Sequence, residues 1–356
     1  MYEVTDDPFS RRLLLVSIAA VIPARNSERW IRRCLASLSG GSDRPDEMIV
    51  VDDASTDGTG REARESGARV IELDVRQGPA RARNAGAAAA SAEVILFVDS
   101  DVLVPPGLVE RMRLAFEDPS VAAVQTIYTA SCPATDLVSS YQNFYYHLAL
   151  ASIRGARSAV FATWCAAVRK DVFESLGGFN EDIPDPTVED EELGYAISDA
   201  GYAILLERDL QVTHLACYTI AAFARRRFRM AASQARSAWR SVKNRLLLRY
   251  VNLRDTGTHH SRLTVLAILC MLAAQAFLIV WTASLIAGSE RPALLQAAVV
   301  MSSAALFLCS RFLRKSVNSL GVNILAPFAA LCLLDLLVLG WGIIWGTLGF
   351  LARRRY

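Results

Sequence analysis

The chain has 356 residues, 53% of them hydrophobic and 21% charged, with a formal net charge of +2. That length allows about two domains. The apolar residues are spread unevenly, which argues against a wholly soluble chain: residues 1–250 read as a soluble α/β region, whereas residues 263–351 are nearly all apolar. The small net charge hides a basic stretch, residues 225–262, with eleven Lys/Arg and a single acid, Asp255.

In chain order, strand and helix signals alternate, which predicts a mostly parallel sheet covered on both faces. A strand is expected over residues 13–21. Arg11-Arg12 before it resembles a leader only superficially, since the apolar stretch is short and runs into Pro23-Ala24-Arg25-Asn26, so no signal peptide is expected. A helix follows over 27–38, periodic in Trp30, Ile31, Cys34, Leu35 and Leu38, with Asn26 or Ser27 as N-cap. Next come a strand over 48–51 ending in Asp52-Asp53, a helix over 57–66 closed by Gly67, and a strand over 70–73. A small-residue helix over 79–92, a strand over 94–98, a helix over 108–116 and an extended segment over 121–128 complete the pattern. Strands end repeatedly in polar residues at what should be one sheet edge, where α/β proteins bind ligands.

Asp99-Ser100-Asp101 closes the apolar run Val94-Ile95-Leu96-Phe97-Val98. Residues i and i+2 of a strand share a face, so the two carboxylates repel unless a cation lies between them. A hard divalent ion carrying phosphates is the natural guest, Mg²⁺ or Mn²⁺. In Val50-Val51-Asp52-Asp53-Ala54-Ser55-Thr56-Asp57-Gly58-Thr59 a strand runs into a carboxylate pair suited to ribose hydroxyls or a base N–H, although Ser55 or Asp57 also suits a helix cap. Gly78-Pro79 makes a turn, and the small residues after it let a helix N-terminus approach a phosphate, with Arg81 and Arg83 as nearby cations. A dinucleotide-type G-x-G-x-x-G is absent, which counts against a dehydrogenase. The seven cysteines (34, 132, 165, 217, 270, 309, 332) form no C-x-x-C and read as reduced core residues.

Taken together, Pro23-Ala24-Arg25-Asn26-Ser27-Glu28, the V-D-D-x-S-x-D-G-T stretch, Gly78–Gly86 and the D-x-D resemble, in order and spacing, the signature set of glycosyltransferase family 2 on a GT-A fold. The resemblance covers roughly residues 15–215. It implies that Pro23, Ala24, Asn26, Glu28, Asp52, Asp53, Arg83, Asp99, Ser100 and Trp164 line a nucleotide-sugar site, and that Asp99, Asp101 and His214 face a metal. It singles out Arg83-Asn84 as the family's A-R-N element, with Arg83 on the departing diphosphate. Gly177-Gly178-Phe179-Asn180-Glu181 and Glu189-Asp190-Glu191-Glu192-Leu193 look like the family's G-G-F-x-E and E-D-x-x-L, which assigns the catalytic base to Asp190 with Glu189 as runner-up. Flanking acids would raise the pKa of that base. Thr163-Trp164-Cys165 would floor the sugar pocket, with Trp164 placed to stack on a sugar face or to fill the core. Gln234-Ala235-Arg236-Ser237-Ala238-Trp239 departs from the Q-x-x-R-W of processive synthases and receives no role.

Three apolar blocks, 263–287, 293–310 and 322–351, are expected as about three spans, with the basic segment before them lying at the membrane interface rather than on nucleic acid. The expected organisation is a cytosolic GT-A domain over 1–218, an interfacial basic segment over 219–262 and a transmembrane region over 263–351. Arg254 and Arg262, then Arg311, Arg314 and Lys315, put two connections inside, so three spans leave Arg353-Arg354-Arg355 outside, unless the last block bends back at Gly340 or Gly342 or one short block does not cross. Asp335 within that block is expected to face the bundle or a head-group path. The expected function is a metal-dependent, inverting transfer from a UDP- or GDP-sugar to a lipid or lipid-linked acceptor at the cytoplasmic membrane. The alternatives are a polysaccharide synthase subunit and a non-catalytic scaffold of the same fold.

Overall fold

The structure is a computed structural model. It describes residues 16–352 apart from 42, 134, 135, 154, 184, 185 and 241–261. The chain forms two compact units, Met1–Tyr128 with Arg154–Leu215, and Thr129–Ile153 with Ala216–Tyr356.

The elements of the first unit are β1 (Ile18–Ala24), α1 (Glu28–Ser39), β2 (Glu47–Asp52), α2 (Thr59–Glu65), β3 (Arg69–Glu72), α3 (Pro79–Ala89), β4 (Val94–Val98), β5 (Val102–Leu103), α4 (Leu108–Phe116) and β6 (Val121–Tyr128). After helix α5 (Leu137–Ala151), which belongs to the second unit, come β7 (Arg157–Ser158), β8 (Cys165–Arg169), α6 (Lys170–Ser175), α7 (Glu189–Asp199) and β9 (Ala203–His214). Among the described residues these strands form one sheet in the order β3-β2-β1-β4-β8-β6-β9-β5, with β7 on β9. β3, β2, β1 and β4 run parallel. β8 is antiparallel to both β4 and β6, and β6 is parallel to β9.

All five residues of β4 are buried, as a strand covered on both faces requires. α1 turns Ile31, Cys34, Leu35 and Leu38 inward, the stripe its periodicity predicts. α3 lies close on the sheet: a Cβ at Gly86 would overlap the side chains of Val21 and Val51, so only glycine allows this approach. The strand expected over 13–21 is found as Ile18–Ala24; residues 1–15 lie outside the described part. α3 stops at Ala89 because Ala90 turns extended. α2 starts at Thr59, since the Asp57 carboxylate accepts the Thr59 N–H and holds the loop ahead of it.

The second unit contains α5, α8 (Ile220–Arg240), α9 (Arg262–Ile286), α10 (Pro292–Leu308), α11 (Ser310–Leu320), a 3₁₀ turn (Val322–Ile324) and α12 (Leu325–Leu351). Two stretches, Leu263–Ile286 and Val322–Leu351, are long and apolar enough to cross a membrane, and α10 with α11 forms a third candidate bent by 55°. α12 continues unbroken through Gly340 and Gly342, so the last block makes no hairpin there. Those glycines serve packing instead. A Cβ at Gly342 would meet Ala231, and one at Gly346 would run into the backbone of Ala232, so α8 and α12 touch through small residues. Asp335 faces the bundle: it accepts two hydrogen bonds from Arg227 at 2.6 and 2.8 Å and one from Tyr141 Oη at 3.2 Å. The Arg227 guanidinium also lies 4.6 Å over the Tyr145 ring. The basic helix α8 is therefore half interior, with one face packed on α12. Trp239 is committed there too, donating to Thr347 and stacking on Phe350. Arg254, Asp255 and Arg353–Arg355 lie outside the described residues, as does the side chain of Arg262.

Candidate active site

Parallel pairing brings the carboxyl ends of β1, β2 and β4 to one edge, in a register that sets Ala24 beside Asp52 and Val21 beside Phe97. The antiparallel β8 begins at that edge, with Cys165 opposite Val98, and places Thr163 and Trp164 there. β6 and β9 end there in Tyr128 and His214, and β5 pairs Val102 with His214. The edge therefore gathers the loop after β1, both aspartate pairs, Trp164 and His214.

Two non-glycine residues carry positive φ, Asn26 at 49° and Ala54 at 54°, and they lie in facing loops. Such strain clusters where a surrounding network over-determines it, and that network is present. Asn26 N–H donates to Ser55 Oγ, and Asn26 Oδ1 accepts from Thr56 N–H. Pro23 is the penultimate residue of β1, beside Val51. Glu28 is exposed, donates its N–H to Asp57 and pairs with Arg61 at 3.1 Å. Ser27 and Ser100 hydroxyls meet at 2.8 Å, so Ser27 bridges to the D-x-D and makes no side-chain cap on α1.

Asp52 is buried and accepts the Ser55 N–H. Asp53 is buried and accepts the N–H groups of Gln77 and Gly78 at 2.6 and 2.9 Å. It thereby fixes the turn that Gly78, at φ 91°, makes into α3. From α3, Arg81 points outward to Glu181 at 2.8 Å. Asn84 donates to Glu181 and to the Phe179 carbonyl, tying the helix to the Gly177–Glu181 loop. The Asn84 bond, with Arg81 adding to it, holds the Glu181 carboxyl below the usual range against its partial burial.

Arg83 turns the other way and is 3% exposed. Its guanidinium donates to Asp99 Oδ1 and to Glu189 Oε1, each at 2.9 Å. Glu189 is equally buried, and its second oxygen accepts the Thr187 N–H at 2.8 Å. Its neighbour Asp190 accepts from Thr163 N–H at 3.3 Å and from Glu191 N–H at 2.8 Å. Burial pushes the Asp190 carboxyl well above its usual range, the charges of Glu189 and Glu191 push the same way, and Arg83 opposes them. Two adjacent acids thus differ in their surroundings: Glu189 is ion-paired with Arg83, whereas the buried Asp190 has an elevated proton affinity.

Asp101 Oδ2 lies 3.4 Å from His214 Nε2, while Asp99 turns one oxygen to Arg83. Of the three expected metal-facing residues, two come side by side. Among the described residues no three His, Cys, Asp or Glu side chains converge as a metal set. Trp164 is 9% exposed and stacks on Tyr128 at 4.6 Å, so one face of its indole is taken by protein. Tyr128 also packs 5.4 Å from His214. Beneath the D-x-D, Cys34 and Cys165 are buried thiols, and burial pushes that of Cys165 up to about 12.

Sequence reasoning missed Tyr128 and the Asn84–Glu181 tie. Tyr128 carried a signal, as the last residue of a strand ending at the ligand edge. The tie carried none, because its partners stand 97 residues apart.

Comparison with known proteins bears on the family and the fold. Residues 19–177 match the model of the family described as "Glycosyl transferase family 2". The chain is 30% identical over 208 residues to the pre-mycofactocin glycosyltransferase of Mycobacterium tuberculosis, covering 55% of this chain and 42% of that one. It is 39% identical over 92 residues to the 4,4'-diaponeurosporenoate glycosyltransferase of Staphylococcus haemolyticus, covering 24% of each. The matched part thus spans less than half the length of these two curated relatives. Among solved structures, the mannosyltransferase PcManGT from Pyrobaculum calidifontis, in complex with GDP-Man and Mn²⁺, superposes with a TM-score of 0.60 at 18% identity, covering 93% of this chain and 87% of that one. The fold and the family match thus agree on a glycosyltransferase family 2 domain over residues 19–177, on a GT-A fold.

Proposed function

We propose that this protein is a membrane-associated, inverting glycosyltransferase that moves a sugar from a nucleoside-diphosphate sugar to a lipid or lipid-linked acceptor. The observation that carries the reading is the split between the two adjacent acids, which leaves Asp190 as the carboxylate with raised proton affinity at the donor edge. A single displacement needs one such base. Asp190 takes the proton of the acceptor hydroxyl. The acceptor oxygen then forms its bond to the anomeric carbon from the face opposite the diphosphate, and the bond to the diphosphate oxygen breaks.

The base and ribose of the donor are assigned to the Asp52–Asp53 loop and to Asp99 and Ser100. Pro23, Ala24, Asn26 and Glu28 shape the facing wall, and Trp164 borders the sugar with its remaining surface. A carboxylate beside an imidazole, with oxygen-rich substrate to complete the shell, fits a divalent cation. Asp101 and His214 would hold it, with Asp99 adjoining. Such an ion, Mg²⁺ or Mn²⁺, supplies positive charge against the departing diphosphate. The solved mannosyltransferase with GDP-Man and Mn²⁺ supports this choice.

The lipid acceptor rests on the two apolar helices and the basic helix before them. The same features support a multi-pass protein with its catalytic unit facing the cytosol. A relative named for 4,4'-diaponeurosporenoate supports an acceptor other than a growing polymer. The test is donor binding in detergent, with UDP-, GDP- and dTDP-sugars, in Mn²⁺ and then in chelator. Binding of one donor class that chelator abolishes is the expected result. A folded protein that binds none of them overturns the reading.

A further inference from the structure

Arg83 has a place in this site that its motif does not announce. An arginine on the departing diphosphate would present its guanidinium to the cleft. Here both terminal nitrogens are engaged by carboxylates, the side chain is 4% exposed, and the Phe179 ring lies 5.7 Å away. Nε is buried with no partner among the described residues. The two carboxylates come from separate elements: Asp99 follows β4 at the donor edge, and Glu189 opens α7 beside Asp190. The planar fork of an arginine can hold two carboxylates at fixed positions, which a lysine ammonium cannot reproduce.

We propose that Arg83 is a positioning residue: it commits Glu189 to an ion pair, leaves Asp190 as the base, and sets the base helix at a fixed distance from the donor-side Asp99. The proposal rests on the reading of Asp190 as base. Without Arg83, the buried Glu189 and the partly exposed Asp99 would both lose their shared cation, and α7 would lose its link to the D-x-D. The charged groups around Asp190 are Glu189 and Glu191 on its own helix and Arg83 from α3, so Arg83 is the cation among them.

The test compares Arg83→Gln, Arg83→Lys and Asp190→Asn in the full chain. The substrate is the UDP-, GDP- or dTDP-sugar that the wild type hydrolyses fastest, with water as acceptor. Arg83→Gln is expected to lower kcat about 100-fold and to shift the acid limb of the pH profile upward by about one unit, with donor affinity nearly unchanged. Arg83→Lys keeps the charge, so its acid limb stays near that of the wild type while kcat remains about tenfold low, because the fork is gone. Infrared titration of the protein without donor, taken as the difference from Asp190→Asn, reads the same shift in the Asp190 carboxyl. If Arg83→Gln does not fold, Arg83→Lys decides through its kcat and donor affinity. Loss of donor binding with an unmoved acid limb overturns the proposal and returns Arg83 to the diphosphate. Wild-type kcat in a folded variant overturns it too. An active Asp190→Asn instead fells the base reading itself.

Discussion

Glu189 and Asp190 show how one bond in the chain separates two chemical environments. Glu189 contacts a guanidinium, whereas Asp190 keeps a proton more tightly because burial and two like charges oppose its ionisation. The base must be ionised to act, so turnover should fall as pH drops through its raised pKa. Asp190→Asn should lower transfer by about 100-fold or more, while a titration with nucleotide sugar still shows binding. The same substitution should stabilise the fold at neutral pH. The folded pKa lies above the ordinary 3.8, so the folded state loses stability as pH rises from about that value through the folded pKa. An asparagine never carries that penalty. Thermal unfolding should thus show a higher Tm for Asp190→Asn at pH 7 and a vanishing difference below about pH 4. Asp53 makes the opposite case, a carboxylate used up by the backbone. Asp53→Ala would leave the Gln77 and Gly78 N–H groups without their acceptor and should cost about 1–3 kcal/mol, measurable by chemical denaturation together with weaker donor binding.

At the scale of elements, what was legible followed from local chemistry. The runs at 94–98, 108–116 and 121–128 became β4, α4 and β6 because their burial pattern is written in consecutive residues. Helix α5 escaped notice although Asp136 caps it by accepting the Ser139 N–H, a local signal that was there to be read. The pairing of Arg83 with Glu189 was not legible at all: α3 and α7 meet through packing across 106 residues, which periodicity does not encode. The partner of Asp335 was hidden for the same reason. Its ion pair with Arg227 joins α8 to α12 where small residues already bring the backbones together. Breaking one side of a buried pair strands a charge, whereas removing both leaves an apolar contact. Arg227→Leu should therefore cost about 3–5 kcal/mol, and the double variant Arg227→Met with Asp335→Leu should recover most of it. Thermal stability in detergent would show this, and a double variant as unstable as the single one would mean the pair does more than satisfy its own charges.

For the whole molecule, the sequence divides cleanly by hydropathy, yet its charges do not decide how many times the chain crosses the membrane. Placing Arg311, Arg314 and Lys315 inside puts Arg353–Arg355 outside, and the reverse choice is equally balanced. Geometry breaks the tie. α9, with 25 residues, is about 37 Å long and outspans a hydrocarbon core of about 30 Å. α10 packs along α9 after a short turn, and its 17 residues cover about 25 Å. A helix returning along a spanning neighbour for that distance must traverse nearly the same thickness. The 55° bend into α11 then turns an amphipathic helix with exposed Arg311 and Arg314 aside, as an interfacial segment lies. α10 is thus expected to cross, with Ser289 and Ser319 on opposite faces of the membrane. Single cysteines at Ser289 and Ser319, in a parent whose Cys132 and Cys217 are serine, can be labelled in sealed vesicles with an impermeant maleimide. Labelling of the two sites from opposite sides is the expected outcome. Labelling of both from one side would make α10 a re-entrant arm, and would return the C-terminal arginines to the side on which α9 begins.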